Sequence, residues 1–173
     1  MDTFYFKHAD DETYCLMKYT GREAKVELPD TYGGQPVTII GDDLLKGHVN
    51  VREVHIPSHL RTLGGFVFDG CRNLHEVILP ETLTDIWQYA FVRSGIRSIV
   101  IPGSVKHIIP FVFKDCRKLR SVVCREGVEK IFYSAFEGCE ELEEVIVPEK
   151  TVIEEGAFEG CPKVKVTRSS DGN

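Results

Sequence analysis

The sequence predicts a β-solenoid of about six stacked 22–23-residue repeats, and three observations carry that prediction. Phenylalanines fall at Phe68, Phe91, Phe113, Phe136 and Phe158, at spacings of 23, 22, 23 and 22 residues. Three residues after each comes a small side chain: Cys71, Ser94, Cys116, Cys139 or Cys161. An apolar-x-apolar-proline segment then recurs, as in Val77-Ile78-Leu79-Pro80 and Val145-Ile146-Val147-Pro148. One such unit has too little surface to bury its apolar side alone. Stacked copies bury a continuous core, each touching only its neighbours.

Residues 1–25 are expected to form an N-terminal β-hairpin cap, because two β-rich runs, 3–7 and 13–19, flank a polar turn at 8–12. Residues 26–166 hold the repeats, whose period and apolar density indicate a leucine-rich-repeat β-solenoid. Leu45 extends the phenylalanine series 23 residues upstream. The step from Pro29 to Pro57 is 28 residues, so the extra chain at 30–36, with Gly33-Gly34, is expected as a loop. Within each repeat the apolar-x-apolar segment alternates with period 2 and reads as a short strand. Val77 and Leu79 should point inward, Glu76 and Ile78 outward. Stacked, these strands make a parallel sheet, and proline ends each one because it has no amide to donate. The stretch around Phe-x-x-Cys is too short for a full helix and reads as a helical or 3-10 turn that drops the ring into the core. Residues 164–166 suit a last strand, with Lys163 and Lys165 blunting its open edge, and 167–173 read as a polar C-terminal tail.

The strings FDGCRNLHEVILP, FKDCRKLRSVVC, AFEGCEELEEVIVP and AFEGCPKVKV resemble the BspA-type leucine-rich repeat. The entry segment from Thr13 to Gly41 is similar to the usual start of such domains. The resemblance spans roughly residues 13–166 and rests on several registers agreeing at once. It implies a curved solenoid used for binding, adhesion-like in many bacterial surface proteins, and it implies no catalytic residues.

Composition narrows the function. There are 21 Lys and Arg against 27 Asp and Glu, a net charge of −6, which argues against a nucleic-acid partner. No run of about 18 apolar residues exists, so membrane insertion is not expected. The N-terminus as written has no signal peptide, which points to the cytoplasm; a mature fragment of this family would belong at the cell surface or be secreted. No hydrolase, zinc-protease or phosphate-loop motif occurs, so the chain is expected not to be an enzyme and to need no cofactor or metal. Asp85, His107 and Lys130 fall in one column, and are expected to form surface ion pairs rather than an activated nucleophile. The six cysteines lack any C-x-x-C and keep step with the repeat, so they are expected as reduced, buried thiols.

Two columns depart from an ordinary solvated surface. The outward strand position carries Ile78, Val100, Val123 and Ile146, an apolar stripe on the open sheet face. The position after the inward Leu or Ile carries Trp87, Ile109 and Phe132, with Tyr89, Phe111 and Tyr133 beside them. The family usually has glycine at the first of these. Together they make a candidate surface for a protein or a glycan. The alternative is a structural protein, a homo-oligomer that self-associates through its open C-terminal edge or apolar sheet face. Charge is also segregated: residues 90–130 hold 9 basic and 3 acidic residues, and 131–161 hold 1 and 9.

Overall fold

The computed structural model describes residues 3–170; the first two residues of the expected cap and the last three of the expected tail lie outside the described residues. The chain winds as a β-solenoid of about seven turns. On the first wall lie Lys25–Glu27, Glu53–His55, a single bridge at Glu76, then Ser98–Ile101, Ser121–Cys124, Glu144–Pro148 and Lys165–Ser169. These are the period-2 segments, and the alternation is as expected: Val77 is 3% and Ile78 is 78% exposed. A second wall was not foreseen as a sheet. Gln35–Ile40, Thr62–Leu63, Asp85–Ile86, His107–Ile108, Lys130–Ile131 and Val152–Ile153 pair there in parallel ladders, mostly only two residues long.

The hairpin cap forms from Phe4–His8 and Tyr14–Tyr19 in antiparallel register, and its second strand pairs in parallel with Gln35–Ile40. The expected loop at 30–36 is instead a tight hairpin. Thr31–Tyr32 folds back on Gln35–Ile40 through Gly33 and Gly34, both with left-handed backbone (φ 58° and 80°). Two successive residues at positive φ make the turn that matches strand twist, and only glycine holds both cheaply. The last strand runs on to Ser169, so Thr167 to Ser169 belong to the final coil rather than to the tail.

The third side, where a helical or 3-10 turn was expected, contains no regular helix among the described residues, but its hydrogen bonds are of the 3-10 kind. It is a chain of i to i+3 turns: the Asp69 amide donates to Phe66 O, Cys71 to Phe68 O and Leu74 to Cys71 O. Neighbouring coils are also joined here, with the amides of Phe68, Phe91, Phe113 and Phe136 donating to Ala90, Val112, Ala135 and Ala157 of the next coil. These four rings are fully buried and stack at 5.0, 5.0 and 4.9 Å, with Phe158 at 5.4 Å. The recurring cysteine has a definite role. Cys116, Cys139 and Cys161 donate their thiols to the carbonyls of Phe91, Phe113 and Phe136 in the preceding coil, at 3.0, 3.1 and 3.0 Å. A small apolar side chain with a weak donor fits a site bounded by a ring and a buried carbonyl.

All six cysteines are free, as expected. Burial pushes the Cys71 and Cys124 thiols up to about 12, which keeps them protonated and unreactive. A thiol-reactive dye should therefore label only Cys15 promptly in the native protein and all six after denaturation. A disulfide among Cys116, Cys139 and Cys161 would overturn the stacking assigned to them.

Both ladders break at one place. Asp85–Ile86 ends the first set of second-wall strands and His107–Ile108 begins the next, while on the first wall residues 77–79 belong to no ladder. The break follows a corner that is one residue short. Cys71 is three residues from Leu74 and Cys116 three from Leu119, but Ser94 is only two from Ile96. The shortened corner brings Gly95 against the preceding coil, its amide bonded to Cys71 O; the Arg97 amide still donates to His75 O, the rung that Arg120 makes to Arg97, and the ladders open beyond it.

Candidate functional site

Each coil turns its third side with two residues in left-handed backbone. The first column is Asp43, Phe66, Tyr89, Phe111, Ser134 and Gly156, all with φ between 55° and 80°. The second is Gly47, Gly70, Arg93, Asp115, Gly138 and Gly160. Left-handed backbone suits glycine and, less well, Asn or Asp; a bulky ring there is costly, of order 1–3 kcal/mol. Three successive coils nonetheless place an aromatic residue in the first column. The rings of Phe66, Tyr89 and Phe111 stack nearly plane-parallel, with centroids 4.9 and 5.2 Å apart and planes 12° and 2° apart. They are half-buried, so they contribute less to the core than the phenylalanines beneath them.

Cations close the stack. Lys46 Nζ lies 4.9 Å from the Phe66 ring and Lys114 Nζ 5.7 Å from Phe111. Tyr133 meets Phe111 edge-on at 6.1 Å and is itself 50% exposed. Its amide donates to Glu154 Oε2 at 2.8 Å, and the Lys130 ammonium with this amide holds the Glu154 carboxyl below the usual carboxylate range.

The other expected residues are placed differently. Trp87 is 55% exposed at the edge between the second wall and the turn side. Ile109 packs against the core. Phe132 sits under Lys130 at 4.3 Å and edge-on to His107 at 5.8 Å. Tyr89, Phe111 and Tyr133 thus form one contact set, whereas Phe132 belongs to a separate one with His107. Phe66 joins this set: the repeat places it in the column of Tyr89 and Phe111, but it is not among the candidate residues.

Asp85 and His107 do not pair, because the ladder is broken between them. His107 instead approaches Glu129 at 3.9 Å, and Lys130 pairs with Glu154 at 2.9 Å. On the sheet face the apolar stripe is uneven. Ile78 stands clear of the surface, Val100 is 41% exposed, and Val123 and Ile146 are half-buried. Beside Ile78 the broken ladder leaves a crevice of about 240 Å³, lined by Val100, Val123 and Pro102 and spanned by Arg125 and Glu81 at 4.0 Å.

A family model described as the BspA type leucine rich repeat region matches residues 38–165 in six copies. Among solved structures, a leucine rich repeat protein of T. pallidum is 32% identical with a TM-score of 0.87, covering 94% of this chain and 78% of that one. A leucine-rich repeat protein from Bacteroides ovatus is 21% identical with a TM-score of 0.74, covering 95% of this chain and 51% of its own; it shares the fold. No curated protein matches the chain.

Proposed function

Since the chain belongs to the BspA-type leucine-rich repeat family, we propose that it is a non-catalytic recognition module whose turn side binds a partner protein. The observation that carries this reading is the aromatic stack in left-handed backbone. Three coils accept a conformational penalty to hold Phe66, Tyr89 and Phe111 at the surface, where the other coils carry Asp, Ser or Gly. Strain retained at a surface position is a pointer to use.

The geometry favours a protein over a glycan. Sugar rings bind by lying on aromatic faces, yet in this stack the faces cover one another and the two ends carry Lys46 and Lys114. What is left is a row of ring edges, flanked by Trp87 and Tyr133. Large amphipathic side chains on a rigid support are the usual anchors of protein interfaces.

Selection from a displayed peptide library against the immobilised protein tests this, with a panel of oligosaccharides run in parallel. Selected peptides should lose about tenfold or more in affinity for the Trp87→Ala/Tyr133→Ala double variant, because two half-exposed anchors are removed. Saccharide binding without peptide binding, or peptides indifferent to the double variant, would contradict it.

A further inference from the structure

The missing residue at Ser94-Gly95-Ile96 leaves a notch in the turn side. The depression here, of about 430 Å³, has Ser94 and Gly95 in its wall and is lined by Arg72, Arg93, Arg117 and Lys118 from three successive coils, with Asp115. A second depression adjoins it, shares Arg72 and Arg93, and adds Lys46 and Asp69. The notch is fastened across the shortened coil: Lys118 Nζ reaches Arg72 O, two coils away, at 3.3 Å.

Five cations therefore face two carboxylates. Asp69 is already neutralised. It is 2% exposed, and Arg93 grips it with Nε at 2.9 Å and Nη2 at 2.7 and 2.9 Å. Asp115 lies against Gly138 of the next coil. At the rim, Lys46 approaches Asp43 at 3.7 Å and Arg117 approaches Glu140 at 3.9 Å, both exposed contacts of little strength. Backbone strain also concentrates here. The second left-handed column is glycine in four coils and non-glycine only at Arg93 and Asp115, the two residues that flank the notch.

We infer that this notch is an anion-binding cleft that takes a short acidic segment of the partner protein. The inference rests on the protein-partner reading and adds the partner's chemistry. The notch and the aromatic stack lie on one side of the solenoid, four residues apart along each coil: Phe66 and Gly70, Tyr89 and Arg93, Phe111 and Asp115. Lys46 belongs to both, lying over Phe66 and lining the second depression. A segment that combines carboxylates with apolar side chains engages both at once. The next coil limits its length, because it presents Glu140, Glu141, Glu143 and Glu144. A long polyanion such as a nucleic acid meets that acidic coil, whereas a few carboxylates fit within the basic coils.

The test uses fluorescein-labelled hexaglutamate, with inorganic phosphate and a short oligothymidylate as competitors, at low ionic strength. The wild-type protein should bind the peptide, the Arg72→Glu/Lys118→Glu variant should bind it about tenfold or more weakly, and Lys150→Glu, an exposed charge change elsewhere, should match wild type. Arg72→Gln/Lys118→Gln, which removes the cations without adding charge, should show the same loss in direction. Comparable melting temperatures of all variants establish that the fold is retained. No binding of hexaglutamate, stronger competition by phosphate or oligothymidylate than by unlabelled peptide, or an equal loss with Lys150→Glu would each overturn the inference. Those outcomes leave the role of Trp87 and Tyr133 standing, because library-selected peptides need carry no acidic residues.

Discussion

Phe113→Ala should destabilise the protein by about 3–5 kcal/mol. Phe113 is fully buried, with Phe91 at 5.0 Å on one face and Phe136 at 4.9 Å on the other. Truncation leaves a gap between two rings that are each fixed by their own coil. The amide of Phe113 is bonded forward to Ala135 and its carbonyl accepts the Cys139 thiol, so the backbone is held and the gap cannot close by collapse. Apart from surface reaches such as Lys118 to Arg72 and Arg125 to Glu81, each coil packs on its neighbours alone, so the defect weakens the coupling between the two halves of the solenoid. Thermal unfolding should show a fall of roughly 10 °C or more. A melting curve like that of the wild type would mean that the phenylalanine column is not the core.

Gly95→Ala should cost about 1–3 kcal/mol, a large effect for one methyl group. A Cβ on Gly95 would stand 2.0 Å from Arg72 O and 2.6 Å from its carbonyl carbon, both backbone atoms. The two coils would have to part at the place where neither wall has a continuous ladder to hold them. Gly156→Ala separates this steric cause from a conformational one, because Gly156 has φ +80° but nothing within 4 Å of an added Cβ. Chemical denaturation of both variants should find Gly95→Ala the more damaging. The reverse order would mean that the close approach of coils at the notch is relieved at little cost.

The repeat was legible because its markers are side chains with no substitute. A ring every 22 or 23 residues and a cysteine three later locate the core and the third side of every coil, and the buried stack follows from them. The second wall was not legible as a sheet. Strands such as Asp85–Ile86 and Lys130–Ile131 contribute one inward residue each, too little to display alternation. The Gly33-Gly34 hairpin was read as a loop because its flanks lack an alternating apolar pattern. The one-residue shortfall between Ser94 and Ile96 stands in the sequence, but its result does not: whether a short corner tightens a turn or breaks a ladder depends on backbone packing.

The surface was legible only in part, for a related reason. Tyr89 and Phe111 align with Phe66 in the primary structure, yet the stack depends on a left-handed backbone that the second column discloses through glycine at 47, 70, 138 and 160. At the first column no such glycine run exists, because Asp43, Phe66, Tyr89, Phe111 and Ser134 occupy it and only Gly156 is glycine. The apolar stripe at Ile78, Val100, Val123 and Ile146 was visible as a pattern of residue types. Its loss of continuity was not, since it follows from the broken ladder beside Ile78.

Hydroxyl-radical footprinting of the protein, alone and saturated with a selected peptide, tests most directly whether the turn side is the binding surface. Trp87 and Tyr133, 55% and 50% exposed in the free protein, should lose reactivity on binding, while Ile78 and Val100 on the sheet face should keep theirs. Protection of Ile78 and Val100 with Trp87 and Tyr133 unchanged would contradict that assignment and move the interface to the sheet.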